Sequence, residues 1–226
     1  MKELNKLIIE IKRETEQYLY KTSKIVKYVY RKRKKFPTLA AILLINKNIN
    51  TCQIIGQLLD EKNQEEATVL TRFVLERIAL AFKISKDNIN IEYIDKLQAN
   101  KCISELKKSF TFLGLLYGFL SDITHSHFWS FWLNFTEINK SKNKPKIHIV
   151  LYKSKKELSS AYLMLFTLVF LNLAVAEFIA KEDSKDYLFI WKLDKNLVWN
   201  CDIIDKLILW KVNNWFGFID GKPLFN

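Results

Sequence analysis

Between Glu157 and Glu177 the chain carries nineteen consecutive uncharged residues, and no other stretch restricts the fold as strongly. The run includes Leu163, Leu165, Phe166, Leu168, Val169, Phe170, Leu171 and Leu173. A helix built from it is apolar on every face and must be surrounded, either by protein or by lipid. Its length just reaches the ~18 residues that suggest a membrane span, and lysines flank it on both sides. Ser159, Ser160, Thr167 and Asn172 interrupt it, however, and it is the one such segment among amphipathic stretches that need a central partner. The expectation is a buried core helix rather than a membrane segment.

Five glycines and three prolines leave little turn punctuation, so the rest should also be long helices. The expected architecture is mainly α, one helical-bundle domain over 1–226, with a long N-terminal helix and a small β-hairpin insertion. Leu4, Ile8, Ile11, Thr15, Tyr18, Thr22, Ile25 and Val29 alternate steps of four and three, which predicts one amphipathic helix from Leu4 to Tyr30. It should end in the cations Arg31, Lys32, Arg33, Lys34 and Lys35, with Pro37 as a stop. Thr38–Leu59 is one helix or two short ones. After the polar connector Asp60–Gln64, Asn63 and Glu66 have capping-box spacing for a helix over Glu65–Ile84, whose apolar residues cover every face. Ser85–Asn90 reads as a loop. Ile91–Lys108 is amphipathic, with Ile94, Leu97, Ile103 and Leu106 assigned to one side. Phe110–Leu120 is a further apolar helix, and Gly114 and Gly118 would let a neighbouring helix approach.

From Trp129 the apolar period becomes two, through Phe131, Leu133 and Phe135, and again through Ile147, Ile149 and Leu151. Asn139–Pro145 between them is turn chemistry with lysines, so a basic-tipped hairpin is expected over about 128–152. The segment 183–226 is rich in tryptophan. It should contain a helix over Asp202–Asn213 and a coil from Gly217 to Asn226, closing a core or an interface.

Two places carry candidate chemistry. Arg72 and Glu76 stand one turn apart inside an apolar helix, where charge requires partners: either they form a core ion pair that fixes register, or they line a polar site. The stretch Leu120–Trp129 crowds Asp122, Thr124, His125, Ser126 and His127 between apolar runs. Its imidazoles could cap the helix end, share a metal with Asp122, or perform acid–base chemistry with Arg72 holding a phosphate. The reading taken forward has no metal and no cofactor, with Arg72, Glu76 and His125 as the catalytic candidates.

Lys and Arg outnumber Asp and Glu by 36 to 24, an excess that favours contact with nucleic acid or an anionic membrane surface, although a low-GC coding bias toward lysine produces the same balance. The run Arg31–Lys35 is correspondingly either a solvated helix end or an RNA-phosphate patch. Cys52, Cys102 and Cys201 lie far apart with no paired spacing, which fits a reducing cytoplasm. The N-terminus lacks the apolar core of a secretion signal.

An apolar helix ending in Leu58-Leu59-Asp60-Glu61, then Ala67-x4-Arg72-x3-Glu76, then Tyr117-x2-Leu120-Ser121-x3-His125, resembles a group of bacterial all-helical proteins similar to the HEPN-like bundles of toxin–antitoxin and phage-defence systems. The resemblance covers roughly 34–129. It implies RNA binding or metal-independent RNA cleavage, a homodimer, and an antitoxin or defence partner protein, and it marks Arg72, Glu76 and His125. One feature departs from the pattern: HEPN ribonucleases carry Arg-x4-6-His on one helix, and none of the three histidines here has that arginine upstream. The alternative is a non-catalytic helical interaction or oligomerisation module.

Overall fold

A computed structural model describes residues 2–32, 35–108, 110, 113–124, 136–139, 146–149, 155–181, 218–219 and 222–223, with side chains over 8–32, 35–108, 110, 113–114, 116–118, 120–121 and 161–180. The described fold is mainly α. Its helices are α1 (Lys2–Arg31), α2 (Phe36–Asp60), α3 (Gln64–Lys86), α4 (Ile91–Ile94), α5 (Ala99–Leu106), α6 (Leu113–Thr124) and α7 (Lys155–Lys181).

The apolar run forms α7, which packs against α1, α2 and α3. Of its span Ala161–Ala180, 83% is buried within the bundle. The stripe on α1 is where the period places it: Ile11, Thr15, Thr22, Ile25 and Val29 are buried, and Ile8 and Tyr18 are packed on the core edge. Thr15 and Thr22 are tolerated there because each hydroxyl donates back to a carbonyl one turn earlier, Ile11 O at 2.7 Å and Tyr18 O at 2.8 Å. Tyr18 packs its ring against Phe166 and Phe170 of α7, with centroids 5.6 and 5.9 Å away. At the other end of that seam, Asp60 accepts hydrogen bonds from Lys12 and Tyr162, joining α1, α2 and α7.

Several local expectations need correction. Pro37 does not terminate a helix; it lies in the first turn of α2, where its missing N–H costs nothing and its fixed φ suits the helix. Of the two alternatives open for 38–59, the chain takes the single helix, Phe36–Asp60. Asn63 does cap α3 by position but makes no capping hydrogen bond, and its carboxamide donates to Glu61 Oε2 at 3.3 Å instead. The backbone explains the difference: Lys62 takes a left-handed φ of 66°, and Asn63 N–H is already used on Leu58 O at 2.7 Å, closing α2. Asn88, with φ 50°, ends α3 in the same way through Ile89 N–H on Ile84 O at 3.1 Å.

Residues 91–108 do not form one helix. In a continuous helix Ile94 and Leu97 would point roughly 150° away from Cys102, Ile103 and Leu106, so the two groups could not share a core. The chain resolves this by ending α4 at Ile94 and taking Gln98 extended (φ −96°, ψ 123°) before α5 begins. Cys102, Ile103 and Leu106 are then buried, and Ile94 and Leu97 pack on the same core. Among the described residues no helix packs into the glycines of α6 either. A Cβ at Gly114 would meet the flexible Lys107 side chain, and one at Gly118 would have nothing within 4 Å among the described residues.

Thr136–Asn139 pairs antiparallel with Lys146–Ile149, with Glu137 opposite His148. Phe218–Ile219 pairs with Lys222–Pro223 inside the tail expected as coil. The chain joining these short pairs to the bundle lies outside the described residues, as do most of 128–152, where a hairpin insertion is expected, the stretch Asp202–Asn213, where a helix is expected, and the four tryptophans of 183–226.

On the α3–α5 surface, Glu105 is bracketed by Lys86 and Lys108. The hydrogen bonds and charges of these lysines hold its carboxyl down to about 2, from an ordinary 4.5, against a smaller opposing effect of burial. A depressed folded-state value stabilises above the unfolded value and is lost as pH falls through the folded one. The urea midpoint of the wild type should therefore exceed that of Glu105→Gln at pH 6, and the gap should close between pH 4.5 and about 2. A gap that is constant across this range would show that the pairing is not what Glu105 contributes.

Candidate functional site

Arg72 and Glu76 lie on the side of α3 that meets α6. Arg72 Nε donates to Glu76 Oε1 at 2.9 Å, and the two side chains are 17% and 19% exposed. From α6, the Tyr117 hydroxyl donates to the same oxygen at 3.4 Å, and the Arg72 guanidinium sits 5.5 Å from the centre of the Tyr117 ring. Burial opposes the Arg72 charge. The hydrogen bond and charge of Glu76, helped by Tyr117, outweigh it and raise the Arg72 pKa above its ordinary value, so the group stays a fixed cation.

The pair thus reaches a second helix through Tyr117, a residue that sequence reasoning did not place in the site. The signal was present, since Tyr117 and Ser121 are one turn apart on α6 in a segment that leads to the His cluster. Ser121 is half-buried on α6. His125, Ser126 and His127 lie outside the described residues, as does the side chain of Asp122, so the distance from Arg72 to His125 is not part of the described geometry. His148 is placed by its backbone alone, in the strand opposite Glu137.

The basic corner joins α1 to α2. Arg31 ends α1, Lys32 turns with its N–H on Val29 O at 3.2 Å, and Lys35 precedes α2. All three are exposed, while Arg33 and Lys34 lie outside the described residues. Lys32 places its ammonium 5.7 Å from the Tyr28 ring centre. From Gln17 to Leu59 the chain holds nine Lys or Arg and no Asp or Glu, so the corner sits in a stretch without internal neutralisation. That is more than a helix end needs, because dipole compensation acts within the last turn.

A second polar feature went unread in the sequence. Asn48 of α2 and Asn172 of α7 are fully buried and face each other, Asn48 Nδ2 donating to Asn172 Oδ1 at 3.0 Å and to Val74 O at 3.4 Å. Asn172 Nδ2 donates to Ile45 O at 3.4 Å, while Asn48 Oδ1 has no partner among the described residues. Asn172, the one Asn in the apolar helix α7, was the available clue, whereas Asn48 stands between Asn46 and Asn50 and its own segment does not single it out. Cys52 is also buried, and burial, which favours the protonated form, pushes its thiol up to about 12 against the opposing charge of Arg77.

Comparison of the chain with protein-family models, with curated proteins and with solved structures finds no match.

Proposed function

We propose that this is a cytoplasmic, HEPN-like helical-bundle protein that binds RNA as a homodimer in a bacterial stress or phage-defence setting, with an antitoxin or defence protein as partner. The observation that carries the reading is the basic corner, whose Arg31, Lys32 and Lys35 are exposed, within a stretch free of acids. A polyanion that neutralises these cations releases its own condensed counterions, which is the dominant source of affinity for nucleic acid. The 128–152 segment would add a basic-tipped hairpin arm to the bundle. Exposed Leu43 and Ile54 share the outer face of α2 three turns apart, and with exposed Phe73 they offer apolar surface to a second protomer.

If RNA is also cleaved, His125 is the base that takes the ribose 2′-hydroxyl proton. Arg72 holds phosphate charge, and Glu76 orients Arg72 or His125. In the sequence, residue 125 follows Ser121 by the same step of four that separates Ser121 from Tyr117, and the cleavage reading has that step bring it to the α3–α6 seam. The rival reading, a non-catalytic interaction module, is favoured by one observation: Arg72 already spends its Nε on Glu76 and its face on Tyr117.

RNA binding is tested at the corner. The combined variant Arg31→Gln, Lys32→Gln, Lys35→Gln should weaken binding of total RNA and flatten the dependence of log affinity on log salt by roughly 2, at ~0.7 for each phosphate that is no longer neutralised. All three side chains are exposed, so the thermal midpoint should stay at the wild-type value. An unchanged salt slope would refute the corner as the RNA site.

A further inference from the structure

The outer face of α1 extends the corner, and the step rests on the RNA-binding reading above. Tyr20, Lys24, Lys27 and Arg31 follow one another at steps of four, three and four, on the side of α1 opposite the buried Ile11, Thr22, Ile25 and Val29. All four are exposed, and Tyr20 is 61% exposed, the most open aromatic residue among those described. The stripe covers ~16 Å of helix. The Lys24 ammonium lies 4.5 Å from the Tyr20 ring centre, so ring and cation already form one recognition unit. Among the described residues, Lys24, Lys27 and Arg31 enter no ion pair.

An ordinary solvated helix face mixes signs, and the first half of this same helix does so with Glu10, Arg13, Glu14 and Glu16. The second half holds no acid, although Glu at those exposed positions would add helix-stabilising pairs one turn apart.

We propose that this stripe is a binding track for single-stranded RNA, with a base stacked on Tyr20 and successive phosphates on Lys24, Lys27 and Arg31 leading into the corner. Single strands fit better than duplex, whose bases are stacked on one another and leave an open ring without a partner. An anionic membrane fits less well, because a helix lying on lipid buries its apolar face there, and the apolar face of α1 is already buried in the bundle.

The test uses the full chain and a fluorescein-labelled oligouridylate of about twelve nucleotides, with anisotropy read across a salt series. Tyr20→Ala should weaken binding roughly 5- to 100-fold, the range for loss of one base–aromatic stack, and Tyr20→Phe should bind like the wild type. The pair Lys24→Gln, Lys27→Gln should lower the salt slope by ~1.4. Unlabelled single strand should displace the probe better than a duplex of equal charge, and phosphatidylserine vesicles should displace it poorly.

The track is overturned if Tyr20→Ala binds like the wild type while the corner variant loses affinity, an outcome that leaves the RNA reading standing. It is also overturned if duplex or vesicles compete as well as single strand. Failure of the wild type to bind RNA at all removes both readings together.

Discussion

Asn172→Asp should cost the protein roughly 3–4 kcal/mol at pH 7, the larger of the two losses argued here. The side chain is fully buried on α7, and its Nδ2 points at Ile45 O, an acceptor that repels a carboxylate. Burial therefore lifts the new carboxyl above its unfolded value. Protonated, it can donate to Ile45 O as the amide did, so the penalty is absent at low pH. As pH rises above the ordinary carboxylate value of ~3.9, the unfolded chain ionises first and draws the equilibrium toward it. Urea unfolding from pH 3 to 7 should show the variant falling progressively below the wild type. A variant equally stable at pH 7 would mean that the Asn48–Asn172 pairing is wetter and looser than the geometry describes.

The second large effect is at the α3–α6 seam. Arg72→Met should lower stability by roughly 2–3 kcal/mol, because it leaves the Glu76 carboxylate mostly buried without its cation, and Glu76→Leu should cost less, because Arg72 keeps the Tyr117 ring and further contacts. The double variant should recover much of that loss, since two apolar side chains of similar volume satisfy each other there. Tyr117→Phe should matter less, under about 1 kcal/mol, because its hydrogen bond to Glu76 is long.

Expressed in a bacterial host, the same variants separate structure from chemistry. If Arg72 only fixes the register of α3 against α6, the restabilised double variant behaves like the wild type toward growth and total RNA. If Arg72 holds phosphate beside His125, the double variant is stable yet inert, and His125→Ala is inert as well. No effect of the wild type on RNA under any condition would leave a binding role and remove the catalytic one.

Much of the fold was legible because burial is a local demand. The stripe from Ile8 to Val29 repeats every three or four residues, so it announces a helix and the side it hides, whatever lies against it. The run 158–176 likewise announces a helix that must be enclosed on every side, by having no polar face to show to water. Where local signals compete, the reading failed. Pro37 is compatible with both the end of one helix and the start of the next, and only the path of the chain decides between them. Ile94 and Ile103 each ask to be buried, but a period cannot say that the helix between them will break to satisfy both.

The candidate site was legible in half. Charge inside an apolar helix marks Arg72 and Glu76 as residues that must be partnered, and nothing in their own segment names the partner. Tyr117 lies 41 residues from Glu76 in sequence, and Asn172 lies 124 from Asn48, so each pairing exists only once the helices are packed. The amino-acid sequence by itself thus determined the helical class, the central helix and which polar groups could not remain alone, because transfer from water depends on the residue and its period. Tertiary structure decided the partners, the break at 95–98 and the exposed cationic face of α1, because these depend on how distant helices cross and what surface their packing leaves outside.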